Sequence, residues 1–197
     1  MTAWGKRNVQ RGNRKRWLGA PGSLSARLAG SGQRFSVQVL SQGLQPLHSD
    51  EARALGLRRN RAGYVREVLL RVDEIAVVFA RSVTTHPHSK GPWRAIRGLG
   101  TRPLADVLFR QNAIARSPLQ FASLHSASPL HRDVARAWQC ATGAALLSRT
   151  LPARRSVFTR GLAPLLVMEV FAAAQAPWGW PSTKGRRGAP VLPRTRA

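Results

Sequence analysis

The chain of 197 residues contains one cysteine, four lysines, one tyrosine and eight acidic residues. A lone cysteine, Cys140, excludes an intrachain disulfide and any zinc site built from thiolates, and it reads as a small buried hydrophobe. The histidines are scattered. His86-Pro87-His88 is their one close pair, in a proline-broken stretch without a neighbouring carboxylate, so neither a metal nor another cofactor is expected. The longest apolar run, Leu162–Ala176, is too short to span a bilayer and contains Glu169. No apolar segment follows the basic start of the chain, so no secretory signal is read there and the protein is expected in the cytoplasm. Nucleophile elbows, phosphate-binding loops and dinucleotide fingerprints are all missing.

Basic residues are plentiful: 32 of them give a formal charge of +24. Such an excess first suggests nucleic acid or an anionic membrane surface. Its distribution weakens that reading, because eleven basic residues and none of the acids lie in 1–17 and 176–197. Arginine and alanine enrichment with scarce lysine is also what a GC-rich coding bias produces. We read 1–17 as a flexible leader and 176–197 as a disordered Pro/Gly-rich tail. Residues 18–175 form one domain, large enough for a real core.

Within that domain the strongest pattern is Gly63–Arg81. Two runs of β-formers, Tyr64–Leu70 and Ile75–Val83, flank Arg71-Val72-Asp73-Glu74 and read as an antiparallel hairpin. Side chains alternate along a strand, so Arg66 shares a face with Val68 and Leu70, opposite Val65, Glu67 and Leu69. A later run puts Glu169 with Leu165, Val167 and Phe171, opposite Leu166, Met168 and Val170. Each strand thus carries one charge among apolar side chains. A lone buried charge is very costly, so Arg66 and Glu169 face each other, a ligand, or both.

Around these strands, Ser23 caps a short helix that ends at Gly30. Phe35, Val37 and Val39 alternate into a strand stopping near Gly43, and 48–61 forms a loop or short helix. A proline-containing loop covers 86–97. Thr101 and Pro103 open a helix whose apolar face is Leu104, Val107 and Leu108. Residues 133–145 are helical, and 151–160 and 165–172 are closing strands turned at Gly161. The order of elements predicts a single α+β domain around one antiparallel sheet.

These motifs together resemble chorismate pyruvate-lyase. The resemblance runs from about Ser23 to Phe171, through Tyr-Val-Arg66-Glu-Val-Leu-Leu, Ala-Arg81-Ser-Val, Leu-Gly-Thr-Arg-Pro-Leu104-Ala-Asp-Val-Leu-Phe, Ala-Arg-Arg155-Ser and Pro-Leu-Leu-Val-Met-Glu169-Val-Phe, in family order. It implies conversion of chorismate to 4-hydroxybenzoate and pyruvate, the entry to ubiquinone synthesis, by a monomer without metal or cofactor. The implied fold is an antiparallel sheet with helical flaps that enclose the ligand. By the same resemblance Arg66 and Glu169 are the polar side chains of the site, Leu24 and Leu104 contribute backbone contacts, and Arg81 and Arg155 help draw in the anionic substrate. The chain departs from the family in Leu24 (methionine elsewhere), in Asp73-Glu74 in place of Asp-Gly, and in a longer 110–150 stretch.

Two rival readings belong to other classes. One is a non-catalytic small-ligand sensor of the same architecture, resembling the effector-binding domains of some bacterial regulators. It lacks support because 1–22 is too short and glycine-rich for a helix-turn-helix. The other is a charge-driven nucleic-acid binder, with Trp4, Trp17, Trp178 and Trp180 available for stacking; it predicts steeply salt-dependent binding to any duplex.

Overall fold

In the computed structural model, residues 2–58, 62–109, 113–173 and 176 are described. Seven strands form one antiparallel sheet: β1 (Phe35–Pro46), β2 (Ala62–Val72), β3 (Ile75–Thr85), β4 (Ile114–Arg116), β5 (Gln120–His125), β6 (Thr150–Arg160) and β7 (Ala163–Phe171). Their order across the sheet is β1-β2-β3-β7-β6-β4, and β5 also pairs with β6. β4 meets Phe158–Arg160 and β5 meets Thr150–Arg155, so the two lie end to end along one edge of β6.

The β2–β3 hairpin turns on Asp73 (φ 49°) and Glu74 (φ 63°). Both central residues therefore adopt the left-handed conformation that a two-residue hairpin requires, usually supplied by Asn-Gly or Asp-Gly. The Asp73 carboxylate offsets part of that cost by accepting from the Gln33 and Arg34 amides at 2.8 and 2.7 Å. A bulge follows: Arg71 pairs with Ala76 but Leu70 pairs with Val78, leaving Val77 as the extra residue. The β6–β7 hairpin turns at Gly161, whose φ is 58°.

Helices cover both faces. On one face, α1 (Gly12–Leu18) and α2 (Leu24–Ala29) place Leu18, Leu24 and Leu28 in a core with Val37, Val68 and Leu70. On the same face but further along the strands, α4 (His86–Lys90), a 3₁₀ turn (Arg94–Gly98) and α5 (Ala105–Leu108) bring Trp93, Ile96, Leu99 and Leu108 onto Tyr64, Phe158 and Leu165. The opposite face takes α3 (Ser49–Ala54), followed by Leu55 against Val65, Val83 and Leu166, and α6 (Pro129–Thr142) through Val134 and Trp138.

The α+β reading of one antiparallel sheet with flanking helices stands. Several local readings change. Residues 2–17 of the expected flexible leader 1–17 are packed on the body: Gly5 bridges to Phe121, Trp4 Nε1 donates to Asp50 at 2.8 Å, and Leu18, which follows the leader, is buried. Aromatic and leucine contacts outweigh the run of like charge there. The 86–97 stretch is helical, since the Thr85 hydroxyl caps it and Pro87 sits in its first turn. Thr101 caps nothing; α5 starts from Leu104. Capped by Ser128, α6 begins at Pro129, four residues before the expected start, and β1 runs past Gly43 to Pro46. The edge strands β4 and β5 were not anticipated. Cys140 is exposed. Except for Ala176, the expected disordered tail lies outside the described residues.

Candidate active site

Between the two covers on the first face lies a cavity with the sheet as its floor. Cross-strand pairing sets the floor in two rows. Arg66, Ser82, Val167 and Ser156 form one, and Val68, Ala80, Glu169 and Arg154 the next. Residues directly opposite in an antiparallel ladder share a face, so each row points the same way. The start of α2 (Gly22, Ser23, Leu24) and the start of α5 (Leu104, Ala105, Leu108) form the roof. α2 and α5 touch each other above the sheet. The structure thus brings Leu24, Arg66, Leu104 and Glu169 to one enclosed space. Leu24 begins its helix, where a backbone N–H has no partner inside the helix.

Arg66 is 2% exposed. Its Nε donates to Gln42 Oε1 at 3.2 Å, and Nη2 donates to the carbonyls of Gly100 at 2.6 Å and Arg102 at 3.3 Å. Gly100, at φ 53°, allows the loop to present that carbonyl. All of these acceptors are neutral. Burial lowers the Arg66 pKa from its ordinary value, only partly opposed by Tyr64, yet a guanidinium keeps its charge at neutral pH. A buried cation among neutral oxygens is an anion-binding group.

Glu169 does not pair with Arg66. Its Oε2 accepts from Arg154 Nε at 2.5 Å. Arg154, 1% exposed, also donates through Nη1 to the carbonyls of Leu18 and Ala20 at 3.0 and 2.9 Å. One side chain thereby holds the floor carboxylate and the chain that leads into the roof. Arg116, from β4, lines the same cavity. Its Nε donates to Ser156 Oγ at 3.0 Å, its Nη1 to the Gly22 carbonyl at 3.1 Å, and its guanidinium lies over the Phe158 ring. Burial, then the neighbouring charge of Arg154, lower its pKa, and Glu169 opposes them.

The two remaining arginines direct their guanidinium groups behind the sheet, although Arg81, between Ala80 and Ser82, also borders the cavity. Arg81 pairs across the ladder with Glu67, and Arg155 with Met168, on the opposite face of the sheet. Arg81 Nε lies 2.7 Å from Glu51 Oε1, and its Nη1 lies 2.7 Å from Glu67 Oε1. Burial alone depresses the Arg81 pKa, but Glu51 and Glu67 together more than reverse that and raise it. Arg155 donates to Asp50 Oδ2 at 3.0 Å and to Gln120 Oε1 at 2.8 Å, and it stacks on Trp4. Burial lowers the Arg155 pKa despite Asp50 and Glu51. Both guanidinium groups, expected to help draw in substrate, are tied to acids behind the sheet. The bulge at Val77 is the physical reason for Arg81. A regular ladder counted outward from the turn would set Arg81 opposite Arg66; one extra residue sets it opposite Glu67.

Arg154 and Arg116 were missed. Arg154 is the strand neighbour of Arg155, so alternation offers one of the two to the cavity, but which one depends on a register with β7 that no local pattern displays. Arg116 lies on a three-residue strand with no periodicity to mark it.

An antiparallel sheet under two helical covers, enclosing arginines and one glutamate, defines an α+β domain with an enclosed, positively charged cavity. The C-terminal domain of PhnF shares the fold, with a TM-score of 0.52 and 17% identity over 74% of this chain and 87% of that one. The chain belongs to the chorismate lyase family, whose sequence pattern matches residues 9–178. It is 79% identical over 196 residues, covering both chains in full, to a probable chorismate pyruvate-lyase of Albidiferax ferrireducens. It is 45% identical over 159 residues to a probable chorismate pyruvate-lyase of Aromatoleum aromaticum, covering 79% of this chain and 82% of the relative. The protein is accordingly a lyase. Among the described residues no helix is long and apolar enough to cross a membrane.

Proposed function

We propose that this protein converts chorismate to 4-hydroxybenzoate and pyruvate, the first step of ubiquinone synthesis, as a cytoplasmic monomer without metal or cofactor. The observation that supports this reading is that Arg66 and Glu169, each held by other partners, line one enclosed cavity in a chain of this family. Chorismate is a dianion with a ring hydroxyl. Arg66 takes the ring carboxylate through Nη1, since Nε and Nη2 are held by Gln42 and the 100–102 loop, and Glu169, which repels carboxylates, accepts a hydrogen bond from the hydroxyl para to it. Backbone N–H groups at Leu24 and Leu104 complete the fit.

The reaction breaks the C3–O bond and removes the C4 hydrogen, and aromatisation supplies the driving force. The hydrogen passes to the enolpyruvyl methylene through a six-membered cyclic arrangement, while the C3–O electron pair becomes the carbonyl of pyruvate. The protein's tasks are to hold that conformer and exclude water, which the two covers serve. Arg81 and Arg155 act from behind the sheet by keeping the strands that carry Arg66 and Glu169 in place. Incubation of the purified protein with chorismate tests the reading: 4-hydroxybenzoate absorbance and pyruvate should appear in equal amounts. A chain that binds chorismate without releasing either product is instead the small-ligand sensor.

A further inference from the structure

We propose that Arg116 is a substrate-binding residue, and that it takes the carboxylate of the enolpyruvyl arm, the group that leaves as pyruvate. The inference rests on the reaction proposed above and concerns a residue to which that reading assigns no contact with substrate. It begins from charge. The arginine guanidinium groups around the cavity and just behind its floor are sorted by their partners. Arg81 is neutralised by Glu51 and Glu67, and Arg154 by Glu169. Among the described residues no carboxylate lies within ion-pair distance of Arg66 or of Arg116. The cavity therefore holds two uncompensated cations, which matches a ligand with two carboxylates and leaves one in excess for a ligand with one.

Position assigns each cation its carboxylate. Arg66 stands on β2 and the hydroxyl that anchors Arg116 belongs to Ser156 on β6, in the same cross-strand row. Three strand spacings separate their backbones by about 14 Å, so the two guanidinium groups approach the cavity from opposite sides. Glu169 lies at the Arg116 side, close enough for its charge to oppose the lowering of the Arg116 pKa by burial and by Arg154. When the ring carboxylate sits on Arg66 and the para hydroxyl on Glu169, the enolpyruvyl oxygen, on the carbon next to that hydroxyl, falls on the Arg116 side. Arg116 keeps capacity for a new acceptor. Nε and Nη1 are engaged by Ser156 and Gly22, and among the described residues Nη2 has no hydrogen-bond partner. Its hold on the Gly22 carbonyl places this cation where the roof meets the floor, beside the arm that must be released.

A pair of stable analogues isolates the interaction. 3-(Carboxymethoxy)-4-hydroxybenzoate and its arm carboxamide differ only in the charge of the arm. Titration calorimetry on the unaltered protein should show the acid binding at least tenfold more tightly than the amide. In R116Q the acid should lose at least tenfold while the amide keeps its affinity within threefold, so that the preference disappears. The KM for chorismate should rise with it, while 4-hydroxybenzoate affinity, which uses Arg66 and Glu169, stays within threefold. Three results overturn the proposal: equal affinity of acid and amide for the unaltered protein, an acid preference that survives in R116Q, or equal losses of acid and amide, which would make Arg116 a roof anchor. The first needs no variant and decides even if R116Q does not fold. Failure of the unaltered protein to form products from chorismate is read in a separate assay and overturns the reaction, not the binding of a second carboxylate.

Discussion

Arg154 and Glu169 face each other across β6 and β7, with Nε 2.5 Å from Oε2, and the same guanidinium holds the carbonyls of Leu18 and Ala20. One side chain thus orients the cavity carboxylate and fastens the segment that leads into the roof. Replacing Arg154 by glutamine leaves Glu169 under the roof without its counter-charge and frees that segment. Loss of a partner from a buried pair costs about 3–5 kcal/mol. Because Arg154 is 1% exposed and the Glu169 side chain 15%, the lower end is expected. Urea unfolding should show the midpoint falling accordingly, and the R154Q/E169Q double variant should recover part of the loss. A double variant that is additive removes the coupling.

Arg66→Ala is expected to cost about 2–5 kcal/mol in 4-hydroxybenzoate binding, because the ligand carboxylate is then buried without a cation. Arg66 also holds the Gly100 and Arg102 carbonyls, so the loop over the cavity should loosen. Calorimetry measures the first effect and amide exchange at 99–104 the second. Unchanged ligand affinity would remove Arg66 from the site.

Arg155→Met separates bracing from binding. Its partners, Asp50, Gln120 and the Trp4 ring, all lie behind the sheet. Stability should fall by about 1–3 kcal/mol as Asp50 loses its cationic partner and keeps only the Trp4 donor, while KM for chorismate stays within twofold. A KM that rises tenfold at unchanged stability would return Arg155 to the substrate.

How far the site can be read from the sequence follows from these arginines. Alternation alone places Arg66 with Val68 and Leu70, and Glu169 with Val167, because those patterns are local. Which of Arg154 and Arg155 joins them depends on the β6–β7 register, and the face of Arg81 depends on a single bulge at Val77. Register and bulges are set by packing between distant segments, so a one-residue difference turns a side chain from cavity to backing layer. The edge strands β4 and β5 are legible for neither length nor pattern; they take their extended form from the edge of β6.

Residues 2–17 are part of this architecture. Trp4 stacks on Arg155 at 4.3 Å and donates to Asp50, and Gly5 pairs with Phe121. A protein lacking 1–17 should therefore lose stability, and Trp4→Ala alone should cost about 1–3 kcal/mol, below the full value for a core aromatic because Trp4 is only half-buried. Thermal unfolding of both proteins measures this. Midpoints equal to that of the full chain would make the segment a passenger.

The last prediction concerns the proton. Among the described residues Glu169 is the one carboxylate at the floor of the cavity, and it already accepts from Arg154. A carboxylate held this way is well placed to orient the C4 hydroxyl and poorly placed to swing toward the C4 hydrogen. In chorismate that hydrogen and the C3 oxygen lie on the same ring face, so the enolpyruvyl methylene reaches it without a protein base. Chorismate deuterated at C4 should deliver its label to the methyl group of pyruvate, trapped at once by reduction to lactate because pyruvate methyl protons exchange with water. Glu169→Gln keeps an accepting oxygen and should retain more activity than Glu169→Ala. The gap should be about tenfold, the value of one hydrogen bond of about 1.4 kcal/mol in the transition state. Label recovered only in water, with both variants equally inactive, would make Glu169 the base and the cyclic transfer untenable.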